Sequence, residues 1–243
     1  MYQKRSYRSL FSNELVMFDV CVGETDLQIG CTRDLTALAL AGVRKARSIL
    51  NHYIDKYPVF LTALAPMPVD GSAPILIQKM QKAGKAAGTG PFAAVAGAIA
   101  QYVGEILLEE SGQVFVENGG DIFMASESER TIGIYAGKSP LSNRIAIKIN
   151  DGQFPLGICT SSGTVGHSLS FGKADAVTVL SRDVALADAV ATATANRIST
   201  NADIEPALSF AMGIEGITGV LAIIGDRLGV LGNIELAKVS NQG

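Results

Sequence analysis

One segment of the chain, Thr160–Ala176, brings together small hydroxyl side chains, glycines and one of only two histidines. Glycine and small hydroxyl residues let successive backbone amides face an anion, and a histidine can donate to phosphate or transfer a proton near neutral pH. We therefore predict a phosphate-binding loop in which His167 is a candidate catalytic acid. The residues assigned to cofactor binding in this loop are Thr160, Ser161, Ser162, Gly163 and Thr164.

Cys159 directly precedes this segment and supports a second interpretation. Paired with His167, its thiolate could serve as the nucleophile in sulfur or acyl chemistry. The structural alternative is a cysteine buried in a strand, behaving as a small hydrophobe. Both interpretations of Cys159 remain open from the sequence alone.

A polar stripe interrupts the otherwise apolar segment ALADAVATATANRI. Asp188, Thr192 and Asn196 are spaced by four residues, so they share one face of a helix. Carboxylate and hydroxyl oxygens suit a hard cation such as Mg²⁺, which proteins hold with few side chains plus phosphate and water. The alternative is structural, with Thr192 bonded to a carbonyl one turn earlier and Asp188 facing solvent.

A third candidate is the turn formed by Asn118, Gly119, Gly120 and Asp121. Its two glycines permit positive φ angles and a close approach of the backbone to a ligand. A plain hairpin turn would have the same composition, so a cofactor-binding role is one of two interpretations. The AGTGP stretch before Pro91 also predicts an anion site, because the amides at a helix N-terminus favour negative charge.

Hydrophobic periodicity predicts the elements that position these residues. Apolar residues spaced by three and four indicate helices, whereas short apolar runs between turn residues indicate strands. The predicted helices are Asp34–Lys56, Ile75–Lys85, Pro91–Glu110 and Val184–Ile198, the last capped by Asp183. The predicted strands are Leu15–Val22, Asp26–Cys31, Val114–Val116, Asp121–Ala125, Thr131–Tyr135, Ile145–Ile149, Gly157–Thr160 and Ala176–Leu180, with a final hairpin around GDRLG. This order predicts a single α+β domain over residues 1–243, with two β-rich halves that suggest distant repeats.

The composition narrows the class of protein. Hydrophobic residues make up 48% and charged residues 18% of the 243, which predicts a large apolar interior or a homo-oligomeric contact. A non-catalytic oligomeric ligand-binding module is therefore a further alternative. The net charge of -3 argues against nucleic-acid binding. Neither a signal peptide nor a membrane span is predicted, and three cysteines without metal-ligand spacing favour a reduced, cytoplasmic compartment.

Several segments together resemble a known family. VENGGDIF, CTSSG, AVTVLS and ADAVATA occur in the order of the VNLGGDI, ATSG, SVTV and ADALATA elements of the ApbE-like superfamily of FAD:protein FMN transferases. GAIAQYVGEIL resembles the glycine-led helix that precedes GGDI in those proteins. The resemblance covers about residues 88–200, and the whole chain looks like a short cytoplasmic branch of that superfamily.

The resemblance implies tandem T-fold-like repeats with mostly antiparallel sheets, and a pocket for FAD and Mg²⁺. It places Asp188 and Thr192 at the metal and residues 118–121 beside the flavin, and it implies a nucleotide ligand and a protein substrate that accepts FMN on a threonine. Two departures weigh against FMN transfer: GHSLSFGKADA replaces the family's HIIDPRTG segment, and Gln101 replaces the usual lysine after GxIA. What remains is a Mg²⁺-assisted pocket for a flavin or another nucleotide diphosphate, with His167 in place of the missing element.

Overall fold

The computed structural model describes residues 15–163 and 172–238, and these form three layers. The central layer is an antiparallel sheet of eight strands, which are, in their order across the sheet, β1 (Val16–Val22), β2 (Thr25–Cys31), β3 (Val114–Asn118), β4 (Asp121–Ala125), β7 (Leu156–Ser161), β8 (Ala176–Ser181), β9 (Ile217–Ile224) and β10 (Arg227–Gly232). One face of it packs on a smaller antiparallel sheet of β5 (Arg130–Gly133), β6 (Ile145–Ile149) and β11 (Glu235–Lys238), and the other face packs on helices. The predicted α+β class is confirmed.

Six α-helices are described: α1 (Thr36–Lys56), α2 (Val59–Thr62), α3 (Ile75–Ala87), α4 (Val95–Leu108), α5 (Val184–Ala195) and α6 (Ile204–Met212). The helix predicted from Pro91 begins instead as a 3₁₀ turn, Pro91–Ala94, because Ala94 leaves helical geometry at φ -110° and ψ 6°. Among the α-helices and strands, α2, α6 and β11 were not predicted. Helix α2 and strand β11 have four residues each, too few to show a period, and α6 contains Pro206 in its first turn.

Each half of the large sheet is built in the same order. β1 and β2, then helices, then β3 and β4 form one half, and β7 and β8, then helices, then β9 and β10 form the other. The halves join where β4 pairs with β7. The assignment of the whole chain to one domain stays a prediction.

Helix α5 is mostly apolar because it is enclosed. It lies between β7 and β8 on one side and α3, α4 and α6 on the others. Within α5, all of which is described, only Thr192 is not buried. The predicted cap is confirmed, since the Asp183 carboxylate accepts a hydrogen bond from the Leu186 amide at 3.1 Å.

The stretch Pro91–Leu108 is long and apolar enough to cross a membrane by length and composition. In the described fold, however, α4 packs against α5, α1 and β3, and 56% of this stretch is buried. Packing in the core therefore explains its apolar composition.

Candidate functional site around Asp188

A row of polar residues crosses the large sheet on its helix side. Asn118 pairs with Asp121 in register, and Asp121 pairs with Cys159. Residues directly opposite each other in antiparallel strands point to the same face. At the two ends of this row stand Leu27 and Val179, which belong to the core between sheet and helices. Asn118, Asp121 and Cys159 therefore point towards α5, the helix that carries Asp188.

The Asp188 side chain, which belongs to α5, caps the N-terminus of the neighbouring helix α4. Its Oδ2 accepts a hydrogen bond from the Gly97 amide at 2.8 Å, across 91 residues of sequence. Ala94, the residue before α4, has no side chain that could cap the helix. The Asp188 carboxylate thus supplies the missing cap and the negative charge that a helix N-terminus favours.

Gly97 permits this contact because it has no side chain. A Cβ atom on Gly97 would lie 2.5 Å from the Val184 carbonyl oxygen and 2.8 Å from the Asp188 Cβ. The Asn118 side-chain amide donates to the Ala96 carbonyl at 3.0 Å, which attaches the glycine turn to the same helix end. The first turn of α4 therefore positions both the Asp188 side chain and the glycine turn of residues 118–121.

The two helices cap each other. The Gln101 side-chain oxygen accepts a hydrogen bond from the Val184 amide at 3.1 Å, at the N-terminus of α5. Gln101, which replaces the lysine usual in the family, thus has a structural function here. Because Gly97 contacts Asp188 and Gln101 contacts the start of α5, the two helices run antiparallel.

Burial dominates the electrostatics of the carboxylates. It raises the pKa of Asp188 to about 7, against the opposing effect of the Gly97 and Ala96 amides. The pKa of Asp121 is raised well above its usual value by burial and, next, by the nearby charge of Asp188. Two acidic groups that are costly to ionise thus lie together beneath α5, and a cation placed there would offset that cost.

The oxygen donors fit a Mg²⁺ ion shared with a ligand. Within residues 15–163 and 172–238, no cluster of three or more histidine, cysteine or acidic side chains could hold a metal. The carboxylate of Asp188 and the hydroxyl of Thr192, one helical turn further, are hard oxygen donors. Mg²⁺ is commonly bound by one or two carboxylates while phosphate and water complete its shell.

The glycine turn between β3 and β4 requires its glycines. Gly119 and Gly120 have φ angles of 70° and 113°, which other residues rarely adopt. The Gly120 amide donates to the Glu117 carboxylate at 3.0 Å, and its carbonyl accepts from the Thr160 amide at 3.2 Å. The turn is thereby joined to the start of the predicted phosphate loop.

The predicted phosphate loop is divided between the two faces of the sheet. The Thr160 hydroxyl lies 2.9 Å from that of Thr178, on the face opposite Asp188. Ser161 follows Cys159 by two residues and therefore points to the helix side. The Gly163 amide donates to the Ala174 carbonyl at 2.9 Å, so it already has a partner. Ser162 lies between Ser161 and Gly163. Thr164 and His167 lie outside the described residues.

Residues 161–163 run beside the second half of α5. At the start of β7, a Cβ on Gly157 would contact Val184, the first residue of α5. At the far end, a Cβ on Gly163 would meet the Gly172 carbonyl, and a Cβ on Gly172 would meet the Ala195 carbonyl. The intervening chain therefore passes alongside Asp188 and Thr192. In the region between α5 and residues 161–163, Asp188 lies at the buried end, and Thr192 lies at the end that reaches the surface.

The AGTGP turn does not offer the free amides that the sequence predicted. The Thr89 amide donates to the Gly84 carbonyl at 2.9 Å, and the Gly90 amide donates to the Leu64 carbonyl at 3.0 Å. The N-terminus of α4 is occupied by Asp188. An external anion at that helix end is therefore disfavoured, and this interpretation of AGTGP is wrong.

Cys159 lies in an environment that disfavours a thiolate. The side chain is fully buried, and its Sγ donates to the Val184 carbonyl at 3.5 Å. Burial, and after it the charge of Asp121, raises the pKa of this thiol well above its usual value. A nucleophilic cysteine needs the opposite shift, so the structure gives the thiol hypothesis no support.

Thiol labelling in the folded protein provides a direct check. Cys21 is exposed, whereas Cys31 and Cys159 are buried. With iodoacetamide at pH 7.5, we expect Cys21 to be labelled and Cys159 to stay unmodified until the protein unfolds. Peptide mapping after labelling measures this, with a Cys21→Ser variant as the control. Rapid labelling of Cys159 in the folded Cys21→Ser variant would restore the thiol hypothesis.

Two grooves formed by described residues lie away from Asp188. The larger, about 460 Å³, is an open depression on the outer side of α1 that includes Arg44, Arg47 and His52. The smaller, about 240 Å³, lies at the start of β3 and the end of β4. Buried acidic groups at Asp188 are a stronger indication of chemistry than these surface depressions.

Solved structures share this fold. The flavinyl transferase ApbE of Pseudomonas stutzeri, in its apo form, superimposes with a TM-score of 0.55 at 16% identity, over 92% of this chain and 96% of that one. The flavin transferase ApbE from Vibrio cholerae gives 0.58 at 12% identity, over 90% and 97%. These superpositions establish an ApbE-like fold.

Sequence comparison gives the family. The family model described as AbpE bacteria matches residues 8–216. A UPF0280 protein of Methanococcus aeolicus is 39% identical over 221 residues, covering 88% of this chain and 89% of that protein. A UPF0280 protein of Methanocaldococcus jannaschii is 39% identical over 206 residues, covering 82% and 84%. The chain belongs to the AbpE bacteria family, and the predicted relationship to the ApbE-like superfamily is confirmed.

Proposed function

We propose that this protein binds a flavin nucleotide, FAD, together with Mg²⁺ in the region between α5 and the glycine turn. The observation that carries the proposal is the buried carboxylate of Asp188, whose pKa is raised to about 7 and which lies beside a second acidic group, Asp121. The family relationship to flavin transferases supports a flavin as the ligand.

Each group in the proposed site has a separate task. Asp188 and Thr192 would hold Mg²⁺, which when bound neutralises charge on the diphosphate oxygens. Asn118 and Asp121 would lie beside the flavin, with Gly119 and Gly120 allowing its close approach. Residues 161–163 would border the diphosphate, and His167 is proposed as the donor that replaces the family's DPRTG element.

Binding and transfer are separable in this proposal. The chain retains the family's pattern at Asp188, Thr192 and the glycine turn, and we assign these residues to nucleotide binding. The segment GHSLSFGKADA departs from the family where the flavin is held during transfer. We therefore propose nucleotide binding as the primary activity, and FMN transfer to a protein threonine as the reaction to be tested. A cytoplasmic location and a homo-oligomeric state stay predictions.

Titration of FAD into the purified protein tests the proposal. With Mg²⁺ present, we expect saturable binding, seen as a change in flavin fluorescence, and weaker binding when EDTA removes the metal. Riboflavin, which lacks phosphate, should bind more weakly and without metal dependence. Mass spectrometry of a threonine-containing acceptor peptide then reports whether FMN is transferred. Absence of FAD binding with Mg²⁺ would refute the proposed function.

A further inference from the structure

An exposed apolar surface lies at α2, in the helix layer. The described part of the chain has nine exposed large apolar side chains, and four of them fall within residues 57–64. They are Tyr57, Val59, Leu61 and Leu64, which are 37%, 58%, 46% and 67% exposed. Single exposed apolar residues are common on protein surfaces, whereas a concentration of them marks an interaction site. We call these four residues the apolar patch.

The apolar patch is exposed although its backbone is firmly anchored. Phe60, in the middle of the segment, is fully buried, and its ring lies 5.0 Å from the ring of Tyr53 and 6.0 Å from that of Phe92. The Leu64 carbonyl accepts a hydrogen bond from the Gly90 amide at 3.0 Å. Because the segment is fixed at both points, its outward side chains cannot turn inward without displacing Phe60. The fold itself therefore holds the apolar patch at the surface.

The apolar patch is uncharged, and its rim carries both signs of charge. No charged residue occurs from Tyr57 to Val69. The Lys56 Nζ lies 5.2 Å from the centre of the Tyr57 ring. Asp70 lies at the same edge, because its carboxylate accepts a hydrogen bond from the Tyr53 hydroxyl at 3.4 Å and the Tyr53 ring is 4.8 Å from that of Tyr57. Protein–protein interfaces commonly have such a centre, depleted of charge, inside a polar rim.

The charge distribution favours a second copy of this chain as the partner. Clustered lysine and arginine residues would favour a lipid surface, whereas residues 55–70 contain one basic residue, Lys56, and two acidic ones, Asp55 and Asp70. Two identical uncharged patches can meet without like-charge repulsion. A two-fold axis through them can bring Lys56 of each copy towards Asp70 of the other. The low proportion of charged residues in the whole chain, 18%, also favours a contact between copies.

We propose that the apolar patch is the interface of a homodimer, in which two copies pack their α2 segments together around a two-fold axis. A stable interface buries about 800 Å² on each partner. The exposed prolines beside the apolar patch, Pro58, Pro66 and Pro68, would therefore contribute to it as well. This dimer is separate from the proposed nucleotide binding and does not depend on it.

Size-exclusion chromatography with light scattering tests the dimer with Leu61→Asp and the matched control Leu236→Asp. Leu236 is 44% exposed, close to the 46% of Leu61, but it lies in β11, on the opposite side of the large sheet from α2. We expect the wild-type protein at micromolar concentration to have twice the chain mass of 25.4 kDa. Leu61→Asp places like charges in both halves of the interface and should raise the Kd of the dimer at least about 100-fold. Leu236→Asp should stay within about twofold of wild type.

Circular dichroism of the same proteins separates a lost interface from a lost fold. Because Leu61 is exposed in the single chain, Leu61→Asp should be a monomer with the wild-type spectrum. Leu64→Asp, at the most exposed position of the apolar patch, is the second variant and should give the same result. A monomeric wild-type protein would overturn the inference and leave the apolar patch to a different protein or to a lipid surface. A dimer as strong in both variants as in wild type would also overturn it, by placing the contact elsewhere.

Discussion

Replacing Asp188 by asparagine is expected to weaken the Mg²⁺-dependent binding of FAD by at least about 100-fold, since even groups that only support metal ligands change affinity by about 10- to 100-fold. Asparagine keeps an oxygen that can accept from the Gly97 amide, so the cap of α4 should survive. The lost charge removes the main attraction for the cation. Isothermal titration calorimetry with FAD, with and without Mg²⁺, measures the effect.

Asp183→Asn is the matched control for this substitution. Asp183 caps the N-terminus of α5 through its side chain, and asparagine caps as well as aspartate. The control carries the same change of charge close to the start of the same helix and should leave FAD binding unchanged. Equal affinity of wild type and Asp188→Asn would show that Asp188 serves only as a helix cap.

Gly97→Ala should lower the free energy of unfolding by about 3 kcal/mol, at the upper end of what an added methyl group costs in a packed core. The new Cβ would meet the Val184 carbonyl and the Asp188 Cβ at distances that real contacts do not show. Relief requires α4 and α5 to separate, which breaks both reciprocal caps. Urea denaturation followed by circular dichroism measures the loss.

The control for this second prediction is Gly71→Ala. A Cβ on Gly71 would meet nothing within 4 Å, so this change should alter stability by less than about 0.5 kcal/mol. If Gly97→Ala were as stable as Gly71→Ala, the close contact between α4 and α5 described here would be wrong.

Local patterns predicted the elements of the site well. The four-residue spacing of Asp188 and Thr192 reflects a helix that does form, with Asp183 as its cap. The glycine pair of residues 119 and 120 predicted positive φ angles, which both residues adopt. These features depend on neighbours within a few residues, and the sequence records such neighbours directly.

Long-range partners could not be predicted in the same way. Asp188 caps a helix 91 residues earlier in the chain, and Gln101 caps Val184 across 83 residues. Nothing in the local spacing around Asp188 distinguishes a solvent-facing carboxylate from a cap that belongs to another helix. The one available indication was Ala94, a residue unable to cap the helix that it precedes.

The phosphate loop shows a second limit of sequence analysis. Thr160 and Ser161 are adjacent and chemically alike, yet strand alternation sends their side chains to opposite faces of the sheet. Composition alone assigned both to one loop. Their separation follows from where β7 ends, which is the least certain property of a strand predicted from sequence.

A crystal structure of the protein with FAD and Mg²⁺ bound tests the central claim most directly. We predict a cation about 2.1 Å from a carboxylate oxygen of Asp188, a distance typical of Mg²⁺, with the Thr192 hydroxyl and diphosphate oxygens around it. Flavin density should lie beside Asn118 and Asp121. A cation and nucleotide bound elsewhere, with the Asp188 carboxylate still engaged only by the first turn of α4, would contradict the account.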